Sequence, residues 1–205
     1  MKKDEKQKVL MKTIDEAVDV LKRGGIAAAA TETFFALMAD INRQQAIARI
    51  RKLKKLDEHA PLLIIVSSLK DVAGLCESVS PHARQLAEKY WPGPLTMIFR
   101  ARTTFPPYLL GPFGTVAVRI PGECDAAEIL RRMGRPLTAT SCNLHGEAPA
   151  VSGRMAREMF KGKINIIVPG SSPGGLPSTI VDTTVSPPVI RRRGILNIEG
   201  KYLRK

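Results

Sequence analysis

Residues 88–99 read EKYWPGPLTMIF. The chain's only tryptophan, Trp91, is followed at once by Pro92, Gly93 and Pro94, and then by an apolar run, Leu95 to Phe99. Two prolines around a glycine make a stiff corner with no N–H at either proline. A run of that length after a corner reads as a buried strand. Upstream, Ser80-Pro81 gives an N-cap with proline at the first helical position, so a helix runs from there to about Tyr90. The unit is therefore helix, locked corner, strand, with Trp91 as a core anchor and the corner delivering Leu95 and Thr96 into a sheet.

Outward from that unit, helices and strands alternate. KTIDEAVDVLKRGG reads as a helix, with Thr13 and Glu16 at capping-box spacing and Gly24-Gly25 as its stop. GIAAAAT reads as a strand. QQAIARIRKLKKL reads as a helix that turns Ile47, Ile50 and Leu53 inward and carries Arg49, Arg51, Lys52, Lys54 and Lys55 on its outer face. PLLIIV is of strand length, and SSLKDVAGLCESV is a short helix. VAVRIP, PLTATSC, INIIVPG, STIVDTT and PVIRRRG read as strands; ECDAAEILRRMG and SGRMAREMF read as helices. TTFPPYLLGPFG and SSPGGLPS are loops. The expected fold is α+β, close to α/β: a single domain with a twisted mixed parallel/antiparallel sheet covered by helices. The expected division is a charged N-terminal segment (1–12), the domain (13–196) and a short basic tail (197–205).

The chain has 205 residues with a formal net charge of +13. Such an excess favours an anionic partner, a nucleic acid or a phosphate-bearing ligand. Three widely spaced cysteines, Cys76, Cys124 and Cys142, form no C-x-x-C pair, and the N-terminus has no apolar leader; both fit a reducing cytoplasm and no membrane partner. His59, His82 and His145 lack metal-ligand spacing, so no metal held by protein ligands is expected. Walker A, dinucleotide and G-x-S-x-G motifs are missing. Cys142 and His145 are near in sequence, which is weak evidence for a nucleophile pair.

What remains is a set of hydroxyl, amide and cationic residues where apolar runs end: Thr31, Thr33, Lys54, Arg119, Ser141, Asn143, Ser178, Thr179 and Arg192. Open sheets bind ligands at such edges, hydroxyls and amides orient a polar ligand, and Lys and Arg neutralise phosphates.

Taken in order, TETFFALMAD, Lys54 ahead of APLLIIV, WPGPLT, VAVRIP, TSCNLHG, PSTIVD and RRRG resemble the YrdC-like family over residues 13–196. Its best-known members are threonylcarbamoyl-adenylate synthases. The resemblance implies a YrdC-like fold and a nucleotidyltransferase that forms threonylcarbamoyl-AMP from L-threonine, bicarbonate or CO2, and ATP carrying Mg2+, for threonylcarbamoyladenosine modification of tRNA with partner proteins. It implies Lys54 and Arg119 as catalytic cations, and Thr31, Thr33 and Ser178 around threonine. Thr115, Ser141, Asn143 and Arg192, with the two cations, would hold ATP. Several positions depart from the family's pattern: Ala30, Phe35, Ala36 and Met38 stand where proline, tyrosine and two glycines are usual, Leu56 replaces an arginine and Ile65 a histidine. These departures, with the basic helix at 49–55, motivate an alternative, a non-catalytic paralogue that binds double-stranded RNA, tRNA or a nucleotide. A third reading is an adenylating enzyme for another small substrate.

Overall fold

The computed structural model describes residues 3–57 and 60–203. His59 lies outside them, as do the last two residues of the basic tail. Among the described residues, nine strands form one sheet in the order β7-β1-β2-β6-β3-β5-β4-β8-β9. They are β1 (Ala27–Ala30), β2 (Phe35–Asp40), β3 (Leu63–Ile65), β4 (Leu95–Arg100), β5 (Thr115–Arg119), β6 (Leu137–Ser141), β7 (Ile166–Ile167), β8 (Thr179–Asp182) and β9 (Val189–Arg192). The pairing is mixed: β1/β7, β3/β5 and β4/β8 are parallel and the remaining pairs antiparallel.

The α-helices that cover it are α1 (Lys3–Lys22), α2 (Gln44–Lys54), α3 (Leu69–Leu75), α4 (Pro81–Tyr90), α5 (Asp125–Met133) and α6 (Gly153–Phe160). Side chains of a strand alternate between faces. On one face, Leu95, Met97, Phe99, Val116, Val118 and Val181 join the stripes of α2, α3, α4 and α6 in a single core. On the other, α1 and α5 cover only β1, β2, β6 and the end of β3, burying Ile14, Leu21, Ala27, Ala29, Met38, Ile129 and Leu137. Arg132 of α5 clasps α1 through Asp15 while bonding Glu128 on its own helix. The half of this face over β3, β5, β4 and β8 has no helix, and that bare half becomes the floor of a cavity. Among the described residues, no helix is long and apolar enough to cross a membrane.

The opening stretch folds as its residues dictate. The Ser80 hydroxyl accepts from the Ala83 N–H, with Pro81 opening α4. At the corner, Trp91 is half-buried and its Nε1–H donates to the Leu95 carbonyl at 2.7 Å. A Cβ on Gly93 would sit 2.7 Å from the Tyr90 carbonyl, so only glycine fits that close approach.

Three expectations need correction. Thr13 caps nothing: α1 already runs from Lys3, with Asp4 and Glu5 in its first turn, and the Thr13 hydroxyl donates to the Val9 carbonyl. The outer face of α2 is not wholly solvated, because Arg51 and Lys54 are buried, whereas Leu53 is only half-buried. The described part of the tail, 197–203, is docked rather than merely basic: Ile198 is buried, Tyr202 packs edge-on against Tyr90, and Glu199 pairs with Lys89.

The chain leaves β9 through Gly194, where an added Cβ would lie 2.2 Å from the Pro177 carbonyl oxygen and 2.6 Å from the Thr179 nitrogen. Gly194→Ala therefore forces β9 away from β8. It should lower the unfolding free energy by about 2–3 kcal/mol, as overpacking against backbone does, read as a lower urea midpoint.

Candidate functional site

The bare half-face floors a cavity of about 620 Å³, well within the range of small-molecule sites. Strand register arranges the floor. Ile65 pairs with Arg119, Thr96 pairs with Ile180, and Ile180 pairs with Arg192. One stagger along, Leu63 pairs with Ala117 and Ala117 with Ile98, giving an apolar row. The β1–β2 turn brings Thr31 and Thr33 to the wall, the end of β6 brings Ser141, and the chain entering β8 brings Ser178.

Arg119 is 4% exposed, and two contacts fix it. Its Nε–H donates to the Gly93 carbonyl at 3.0 Å, so the proline corner positions this guanidinium. Nη2 lies 2.5 Å from Glu32 Oε1, which also accepts from the Gly122 N–H. Burial works to raise the Glu32 carboxyl, but the Arg119 charge and the Gly122 N–H outweigh it and hold the group below the usual carboxylate range. Burial lowers Arg192, and the charge of Arg119 lowers it further; two guanidinia facing one cavity make it electropositive. Arg192 donates to the carbonyl and hydroxyl of Ser178, whose hydroxyl also meets Thr96 Oγ1 at 2.9 Å. Thr31 and Thr33 hydroxyls lie 3.1 Å apart, and the Ser172 hydroxyl accepts from the Thr31 N–H.

Lys54 and Asn143 sit behind this wall rather than on it. The Lys54 ammonium donates to the carbonyls of Ser141 and Asn143 and to Asn143 Oδ1, and Ser141 Oγ donates to the same Oδ1. The lysine thus knots the Ser-x-Asn turn that ends β6. Burial pushes its pKa down to about 8, partly opposed by Cys142. Burial also pushes the Cys142 thiol up to about 12, so a Cys142–His145 nucleophile has no support.

Thr31, Thr33, Thr115, Arg119, Ser141, Ser178 and Arg192 all line one cavity. Sequence reasoning missed Glu32, Thr96 and the Gly93 carbonyl as the groups that hold Arg119 and Ser178; Glu32 stood in plain view between two threonines. Among the departures, Phe35, Ala36 and Ile65 are in the wall, whereas Leu56 packs against the core. Neither Lys55 nor Arg51 reaches the wall in its stead: Lys55 is the exposed left-handed cap of α2, and Arg51 donates to the Ala60 carbonyl.

The knot predicts a pH signature. A folded-state pKa below the unfolded one means that between about pH 8 and 10.5 the unfolded chain holds a proton the folded chain has lost. Stability from this group therefore rises with pH across that window. Lys54→Met should remove the rise and cost about 2–3 kcal/mol by leaving buried carbonyls without a donor, measured by urea unfolding at pH 8 and pH 10. Glu32→Gln should loosen Arg119 and weaken tripolyphosphate binding by about ten-fold, the low end for a lost hydrogen bond to a charged group, measured by calorimetry.

Comparison with known proteins bears on this arrangement. Threonylcarbamoyl-AMP synthase of Pyrococcus abyssi is 33% identical over 184 residues, 89% of this chain and 54% of that protein, so the chain spans about half the length of that relative. The synthase of Thiobacillus denitrificans is 32% identical over 162 residues, 79% of this chain and 86% of the relative. The crystal structure of P. abyssi Sua5 complexed with L-threonine superposes with a TM-score of 0.83 at 34% identity, covering 88% of this chain and 54% of that one. The sequence model of the Sua5/YciO/YrdC family, described as telomere recombination, matches residues 19–194. On that match and those relatives, the chain belongs to the Sua5/YciO/YrdC family and carries its YrdC-like fold.

Proposed function

We propose that this protein makes threonylcarbamoyl-AMP from L-threonine, bicarbonate or CO2, and ATP, as a nucleotidyltransferase of the cytoplasm serving tRNA modification. The observation that carries it is the convergence of Arg119, Arg192 and a wall of hydroxyls over an apolar floor in one cavity; the names of the relatives support it. The threonine amine adds to CO2, a carbamate oxygen attacks the α-phosphate, and pyrophosphate leaves. Such a step needs positioning and charge neutralisation more than a strong base. Thr31, Thr33 and Ser178 orient the amino acid. Arg119 neutralises the reacting carboxylate and phosphates. Ser141, Asn143, Thr115 and Arg192 hold the nucleotide, and Lys54 keeps the Ser141–Asn143 turn in place while adding charge behind it. A magnesium ion would travel on the ATP phosphates, whose oxygens and water suit its octahedral shell.

One observation favours a second reading. Leu56 packs into the core, and no guanidinium takes its place in the wall. A protein that keeps the cavity but has lost turnover, binding double-stranded RNA or tRNA through its +13 surface, fits that loss.

The test is pyrophosphate release from ATP. It should require threonine and bicarbonate and fall at least about 100-fold in Arg119→Ala, the scale for losing an electrostatic stabiliser. Release with another amino acid points to a different substrate, consistent with the apolar Ile65 and Ala36 wall. No release, with tight salt-sensitive RNA binding, establishes the second reading. If Leu56 limits catalysis, Leu56→Arg raises the rate; an unchanged low rate rejects that idea.

A further inference from the structure

One residue in the loop between the cavity-lining Pro112 and Thr115 is not absorbed by this chemistry. Phe113 is 90% exposed, the most exposed of the large apolar side chains. It is also one of three non-glycine residues with positive φ among those described, at +58°. An aromatic ring in water and a left-handed backbone are both unfavourable, and strain of this kind persists where surrounding structure enforces it.

That enforcement is explicit. The Gly111 N–H donates to the Thr115 carbonyl at 2.7 Å, and the Thr115 hydroxyl donates to the Pro112 carbonyl at 2.8 Å. The Arg100 guanidinium donates to the Phe113 carbonyl itself at 2.6 Å, and the Ala101 N–H to that of Gly114 at 2.9 Å. Four hydrogen bonds thus clamp a five-residue loop whose product is one outward ring. The flanking Pro112 and Thr115 both line the cavity. Thr115 opens β5 and Arg119 ends it, about 13 Å away at strand rise. Cations therefore stand at one end of the floor and the clamped loop that carries Phe113 at the other, with the apolar Leu63–Ala117–Ile98 row between.

We infer that Phe113 is a stacking platform for the adenine ring of the nucleotide whose phosphates lie toward Arg119 and Arg192. The inference rests on the nucleotide reading of the cavity given above. A flat base covers a ring that water otherwise wets, and the clamped loop presents the ring without an ordering cost at binding. Phe113 touches no reacting atom in this arrangement; it sets affinity for the base.

The experiment compares ATP with inorganic tripolyphosphate by calorimetry on the full chain. Phe113→Asn removes the ring while keeping a residue that tolerates positive φ; Phe113→Trp keeps a ring. The expected result is a loss of about ten-fold in ATP affinity for the Asn variant, the scale of one base–aromatic stack. Affinity is retained for Trp, and tripolyphosphate binding is unchanged in both. Equal ATP affinity in wild type and the Asn variant overturns the inference, as does an equal loss for tripolyphosphate. A wild type that binds tripolyphosphate as tightly as ATP also overturns it, and leaves a phosphate site standing. A wild type that binds neither removes the nucleotide reading itself.

Discussion

The Gly93 carbonyl accepts the Nε proton of Arg119, and much of the molecule is arranged around that one bond. The corner that offers it ties three strands together. The Gly93 N–H donates to Ile120 just beyond β5, the Pro94 carbonyl accepts from Thr179 at the start of β8, and Trp91 closes the turn on Leu95 at the start of β4. A more pliable turn would let β4 and β5 shift relative to one another, and the buried guanidinium would move with them. The two prolines remove that freedom, and the glycine allows the approach to Tyr90 that a side chain would block.

Asymmetry of covering turns this frame into a site. One sheet face is packed along its length by four helices, whereas α1 and α5 cover the other only in part. The exposed half is not left greasy: within its apolar floor stand Thr96, Thr115, Arg119 and Arg192, and loops from the β1–β2 turn and from 171–178 close over them. The electrostatics follow. Arg119 and Arg192 face a common space, with Glu32 bonded to Arg119.

Legibility in the sequence followed the strength of local signals. Ser80-Pro81, the proline corner and the Gly24-Gly25 stop are chemical statements about backbone geometry, and each stands in the structure where it was read. Sequence reading gave Phe35–Asp40 no element at all, because all six residues are buried on both faces and show no alternation. Thr13 misled because capping-box spacing also occurs inside a helix. Lys54 was hidden in a charged run that looks solvated, yet it enters the interior because the Ser141 and Asn143 carbonyls and the Asn143 amide oxygen replace its water. The motif order located the cavity residues, but it did not reveal what orients them. Glu32, Thr96 and a main-chain carbonyl act through long-range approach, which no spacing in one chain records.

The floor's two-residue period has a further consequence. Along β5, Thr115, Ala117 and Arg119 face the ligand space while Val116 and Val118 face the core. Specificity and foldedness are therefore interleaved letter by letter along the same strand, and separable. Exchanging Ala117 or Ile98 rewrites what the cavity accepts while the valines go on specifying the same sheet. A lineage with this architecture is free to drift in chemistry without passing through unfolded intermediates.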